Sequence, residues 1–292
     1  MNLIGHKEEI ELLKKAEKEN RLASAYILSG PEGVGKKLVL QKFIMGLYCE
    51  SACGVCPKCQ KIVNDSHPDI FNVSLEEDKK DISIEQMRTV QGKVQMHPLE
   101  GRYKFVIIDN AERMNQAAAN SALKILEEPP RDTHFFLITS RSHMFLPTII
   151  SRCQKITFSP LPVEEIVPII EERLKTDKET AGMMALISCG SLGLALTFPV
   201  DTLKDAKETI TRIQKTRTPS EIIATAERWG KSDANHLAIL AAIASVYRGT
   251  LAGDPAGSLP KLQRIISAER DLEATYNKQL LFEQLLFALT SG

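Results

Sequence analysis

The sequence predicts an α/β fold, a mostly parallel sheet with helices on both faces, followed by an all-helical remainder. Three observations carry this. Short apolar runs alternate with helical patterns as far as Phe158. The run Lys104-Phe105-Val106-Ile107-Ile108-Asp109 is apolar without polar alternation, as a strand covered on both faces must be. After Phe158 the strand-like runs stop and helical patterns alone continue.

Taken in order, residues 3–20 read as a charged amphipathic helix with Ile10, Leu13 and Ala16 on its buried side. Tyr26 to Ser29 is a short strand. It runs into Gly30-Pro31-Glu32-Gly33-Val34-Gly35-Lys36-Lys37, and a helix follows to about Tyr48. Residues 49–66 hold four cysteines and little apolar periodicity. Residues 69–73 are a second strand. Ser83 caps a helix over 84–95, with Gln86 completing a capping box. The buried strand 104–109 ends in an acid, and the helix 115–128 is stopped by Pro129-Pro130. A strand over 134–139, a short helix over 147–152 and a strand over 155–158 complete the sheet. Ligands of such sheets bind at the carboxyl ends of strands, where Gly30, Asp109 and Thr139 all fall. Ser159-Pro160-Leu161-Pro162 reads as a linker. The expected division is a nucleotide-binding-like domain over 1–158, a small helical domain over 159–200 and a helical domain over 201–292. The uncharged stretch 181–200 has the length of a membrane span, but Gly190, Ser191 and Pro199 interrupt it, so two short buried helices are expected. Residues 280–289 are too apolar for a solvated helix and suit a bundle core or a subunit contact.

Lys+Arg and Asp+Glu both number 37, so the formal net charge is zero. That balance argues against an autonomous nucleic-acid binder, which normally carries a basic excess. No leader is visible at the start of the chain, which points to the cytoplasm. The six cysteines are then poor candidates for structural disulfides.

Gly30, Gly35 and Lys36 stand at the required places of a phosphate-binding loop, between a strand and a helix. Backbone N–H groups there can face phosphate without hindrance, and Lys36 supplies a point charge. Lys37 breaks the pattern, because a Ser or Thr hydroxyl should hold Mg²⁺ at that position. The loop is expected to cradle phosphate, with ATP or ADP as the candidate ligand, and to organise a metal poorly. The alternative is a glycine-rich turn with no ligand.

Cys49, Cys53, Cys56 and Cys59 place four thiols within eleven residues. Four soft thiolates can close a tetrahedron around Zn²⁺ and leave no open position for chemistry. An iron–sulfur cluster is the rival, but its usual spacing puts the three-residue gap last rather than first. Cys153 and Cys189 stand alone and are expected to be buried, inert thiols.

The phosphate loop, the cysteine insertion, Asp109, residues 117–130 ending Leu126-Glu127-Glu128-Pro129-Pro130, Ser151-Arg152-Cys153 and Gly190-Ser191-Leu192-Gly193 form an ordered set. Together they resemble the clamp-loader subunits of bacterial DNA polymerase III, of the AAA+ class, and within them the delta-prime group. His67-Pro68-Asp69 fits as well. The resemblance covers about the first 200 residues; it implies a helical lid over 159–200 and a collar over 201–292. Active motors of this class carry a metal-binding hydroxyl at position 37, a Glu after Asp109 and a sensor Arg in the lid. Here the three positions hold Lys37, Asn110 and Gly193. Asn110 cannot accept a proton from an attacking water. Ser151-Arg152-Cys153 is intact, and the resemblance implies that Arg152 points at a neighbouring subunit's ATP. Its bland alternative is a surface arginine at a helix end. Thr139 matches a γ-phosphate sensor, with an ordinary strand-end threonine as the alternative. The implied function is a non-hydrolysing subunit working with gamma/tau ATPase subunits and a delta subunit to load a sliding clamp on primed DNA. The rival is an ATP-hydrolysing motor of the same loader.

Overall fold

The computed structural model describes residues 4–231, 235–251, 253–274 and 277–290. Leu3, the expected start of the first helix, lies outside them. The chain forms two units, Met1–Leu161 and Pro162–Gly292.

The first unit runs α1 (Lys7–Lys18), β1 (Ala25–Ser29), α2 (Lys36–Tyr48), α3 (Pro57–Val63), β2 (Ile70–Val73), α4 (Ile84–Val94), β3 (Lys104–Ile108), α5 (Gln116–Glu127), β4 (Thr133–Thr139), α6 (Pro147–Ile150) and β5 (Gln154–Thr157). Every strand pair is parallel and the order is β2-β3-β4-β1-β5. Strand alternation sorts side chains between two core layers. Tyr26, Leu28, Phe105, Ile107, Phe136 and Ile138 pack with Leu13 of α1 and Leu40, Phe43 and Ile44 of α2. Ile27, Val106, Ile108, Phe135 and Leu137 pack on the other face with Met87 and Val90 of α4 and Ala118, Ala122 and Ile125 of α5. The three central strands are buried at every residue, which is why their sequences lack polar alternation.

Caps define the helix starts. Ser83 and Gln86 form a complete capping box on α4, and the Asn115 side chain accepts from Ala118 N–H at 2.8 Å on α5. Two local expectations need correction. Residues 57–63 form a helix, α3, where little order was expected; Pro57 opens it at the first helical position. Ala16 is half-buried, so the inward stripe of α1 is Ile10 and Leu13.

The second unit is helical throughout its described residues: α7 (Val163–Leu174), α8 (Lys178–Ile187), α9 (Leu192–Ala195), α10 (Val200–Thr216), α11 (Pro219–Lys231), α12 (His236–Thr250), α13 (Pro255–Ala274) and α14 (Lys278–Thr290). Ser191 caps α9 through Leu194 N–H, so the helix break expected at Gly190-Ser191 is present. Cys189, expected to be buried, is exposed in that break. The apolar α14 buries Leu281, Phe282, Leu285, Leu286 and Leu289. It approaches α11 so closely that a Cβ on Gly230 would lie 2.5 Å from Gln279 Cα. No helix of the described residues is long and apolar enough to cross a membrane.

Candidate functional site

The phosphate loop hangs between two strand ends. Gly30 N–H donates to Thr139 O at 3.2 Å, and β5 continues into Phe158, whose N–H donates to Ser29 O at 2.7 Å. A Cβ on Gly30 would lie 2.4 Å from Phe158 O, so neighbouring backbone demands this glycine. Gly33 and Gly35 have φ of 74° and 105°, a region that L side chains avoid. At Gly35, which precedes α2, a Cβ would meet nothing within 4 Å, so its face is open. His6 holds the loop from the other side: its Nε2–H donates to Val34 O at 2.9 Å.

Two lysines follow. Lys36 is buried, and its ammonium donates to Gly30 O and Pro31 O, each at 2.6 Å. Burial lowers its pKa, opposed by the carboxylates of Glu112, Asp109 and Glu32. Lys37 turns across to β3, with its Nζ 3.6 Å from Asp109 Oδ2. The other oxygen of Asp109 accepts from Asn110 N–H at 3.1 Å. Asn110 is left-handed, at φ 53°, and starts a 3-10 turn over Ala111–Arg113.

That turn delivers a residue the sequence reading missed. Glu112 Oε1 accepts from the Ser140 hydroxyl at 2.9 Å and from Ser140 N–H at 3.3 Å. Its pKa is lowered. Burial pushes it upward, and hydrogen bonds from its own backbone, Thr139 and Ser140 overcome that. Thr139 is buried, and its hydroxyl also accepts from Arg141 N–H at 2.9 Å. Thr139 thus lies beside the Glu112 carboxylate and helps to lower its pKa. The signal in the sequence was a second acid three places after Asp109, at the same strand end.

The donor set does not suit Mg²⁺. The hydroxyl ligand is absent, and a cationic side chain faces the carboxylate that should share the metal. Zinc is different. The four sulfurs of Cys49, Cys53, Cys56 and Cys59 lie within 4.8 Å of one another. Cys49 Sγ and Cys53 Sγ are 3.8 Å apart. A zinc–thiolate tetrahedron with bonds of about 2.3 Å has edges of about 3.8 Å. Cys56 caps α3, Cys59 lies inside it fully buried, and Cys56 N–H donates to Cys53 Sγ at 3.4 Å. Hydrogen bonds from the Ser51 hydroxyl and the Cys53 backbone lower the Cys49 thiol to about 6. Burial raises that of Cys59 to about 12.

Next to this cluster, the buried Asp69 carboxylate accepts from Leu99, Glu100 and Gly101 N–H at 2.7, 2.7 and 3.2 Å. Asp69 N–H donates to His67 Nδ1 at 3.2 Å. Asp69 thus fastens the loop after α4 to the start of β2, and Lys61 of α3 reaches the same loop by donating to Glu100 Oε1 at 2.5 Å.

Arg152 lies in the turn between α6 and β5 and is exposed. Nη2 pairs with Glu127 Oε1 at 2.9 Å, and Nη1 donates to Thr148 O at 3.0 Å. None of these partners belongs to the phosphate loop. Cys153 beside it is half-buried, and burial raises its thiol to about 11.

Residues 5–162 match the family described as "DNA polymerase III, delta subunit". The delta' subunit of DNA polymerase III from Pseudomonas aeruginosa is 41% identical over 145 residues, covering 48% of this chain and 44% of that protein. The tau subunit from Bacillus subtilis is 30% identical over 220 residues, covering 70% of this chain and 38% of that protein. The chain thus spans less than half the length of these two relatives. An arginine-to-alanine variant of Thermotoga maritima RuvB superimposes with a TM-score of 0.50 at 17% identity, over 95% of this chain and 87% of that one. That likeness concerns the fold alone. The loop, the sheet order and the family match over more than half the chain lead to one statement: this chain belongs to the DNA polymerase III delta-subunit family and is of the delta-prime type.

Proposed function

We propose that this chain is a non-hydrolysing subunit of a bacterial clamp loader. In that role it lends Arg152 in trans to the ATP of a neighbouring gamma/tau subunit. It works beside a delta subunit to place a sliding clamp on primed DNA, in the cytoplasm. A lid over 159–200 and a collar over 201–292 would complete it. The observation that carries the reading is the charge pairing at the phosphate loop. Lys37 lies 3.6 Å from Asp109 Oδ2, where a motor would coordinate metal. Asn110 offers no base for the attacking water, and Glu112 occupies the Ser140 hydroxyl. By contrast Arg152 is exposed and held only by surface partners, which it can exchange for phosphate oxygens. An arginine aimed at a transferring phosphoryl group contributes roughly 10³-fold or more to turnover. Phosphate recognition in a partner needs no net basic charge on this chain.

ATP turnover of the reconstituted loader tests this. Arg152→Ala should lower clamp-dependent turnover by at least roughly tenfold, and Lys36→Ala should leave it within about twofold. The reverse ranking would favour the rival, a motor that spends its own ATP.

A further inference from the structure

We infer that Lys37 stands in for the divalent cation, and that the 30–37 cradle binds nucleoside polyphosphates as metal-free anions, more tightly without Mg²⁺ than with it. The reading shares Lys37 with the proposed function and is independent of Arg152.

The ordinary loop shares a divalent cation between a hydroxyl, an acid and the nucleotide's outer phosphates. Here the acid already has a cation. Lys37 Nζ sits 3.6 Å from Asp109 Oδ2, both side chains about one-third exposed and so reachable by a ligand. A magnesium ion entering here would have to displace an ammonium and forgo a ligand. The phosphate side of the cradle is nevertheless intact. Gly35 keeps its left-handed backbone with open space where a Cβ would project. An L residue at that φ is strained, so the glycine keeps the loop's backbone in this conformation. Lys36 uses two of its three ammonium donors on Gly30 O and Pro31 O. The same ammonium feels the carboxylates of Glu112, Asp109 and Glu32, and a bound anion would share it with them. Two ammonium groups, successive backbone N–H donors and the start of α2 suit an uncompensated diphosphate. Mg²⁺ neutralises the charge that these groups recognise and adds a cation beside Lys37. Its presence should therefore weaken binding, opposite to an ordinary loop of this kind.

The test is calorimetric titration of the full chain with ADP, in buffer cleared of divalent ions by chelating resin and again with millimolar Mg²⁺. A free chelator is avoided because it would compete for the cysteine-bound metal. The expected result is binding without Mg²⁺ that weakens roughly tenfold when Mg²⁺ is added. Lys37→Thr should restore the ordinary sign, with Mg²⁺ strengthening binding. Strengthening by Mg²⁺ in the unaltered chain would overturn the inference, and so would the absence of binding in both buffers. Both outcomes are read on the unaltered protein, so a poorly folded variant does not blunt the test. Neither outcome bears on Arg152, whose role is read in the assembled loader.

Discussion

Gly30 and Gly35 belong to one motif, yet the structure gives them different reasons to exist. Gly30 is pressed against the backbone of Phe158, 2.4 Å from where a Cβ would put its oxygen. Gly35 faces open space at φ 105°. Gly30→Ala should therefore cost roughly 2–3 kcal/mol, because a strand must shift. Gly35→Ala should cost about 1–2 kcal/mol of backbone strain. Urea denaturation of the two variants checks the ranking; equal losses would mean that the Phe158 contact relaxes freely. The same contrast shows how much of the site could be read from residue types. The loop, Asp109, the cysteines and Arg152 stood out because each carries chemistry at a recognisable spacing. Glu112 and His6 did not, because their roles arise from tertiary placement: one through a 3-10 turn after a strand, the other through a ring bonded to Val34, 28 residues further along the chain. The Lys37–Asp109 pair joins two residues that the sequence marked separately, 72 positions apart, and it was not foreseeable as a contact.

Among the elements, α3 depends most on something other than its own sequence. It is seven residues long, far below the length at which an isolated helix persists in water. Two of its anchors are Cys59 and Ile62, both buried, and Cys56 caps it. A seven-residue helix anchored by Cys59 and Ile62 rather than by a long apolar stripe leaves little periodicity to read, whereas α4 declared itself by its capping box and α5 by the Pro129-Pro130 stop. Cys59→Ser should abolish stoichiometric zinc in elemental analysis and destabilise the first unit by roughly 3 kcal/mol or more. Full retention of zinc would remove Cys59 from the ligand set. The loss should spread to the loop at 99–101, since Lys61 of α3 pairs with Glu100 in that loop. The three central strands were legible almost to the residue, because burial on both faces leaves no room for polar alternation.

At the scale of the whole molecule, the zero net charge hides buried histidines that set the response to acid. Burial lowers the pKa of His134 below its usual 6.5, against a hydrogen bond to Ala23 O and the charge of Asp132 that pull it up. His67 is lowered by burial too. A neutral, buried ring stabilises the fold fully above the unfolded pKa of 6.5. As the pH falls through that value the unfolded chain takes up a proton that the folded chain refuses, and stability declines until the folded pKa is passed. Unfolding free energy should thus drop on moving from neutral pH to moderately acidic pH. In His134→Phe the drop should be smaller. An identical pH dependence in the variant would show that other groups dominate.

The chain's single tryptophan, Trp229, has one consequence for anyone watching it unfold. It sits in α11 with its ring centroid 5.6 Å from that of Phe282 in α14, inside the second unit. Indole emission will therefore witness the helical half alone and stay blind to the sheet-containing half, where the four-cysteine cluster and Lys37 lie. Far-ultraviolet dichroism sums both halves. A gap between the two melting curves would measure directly how independently the halves come apart.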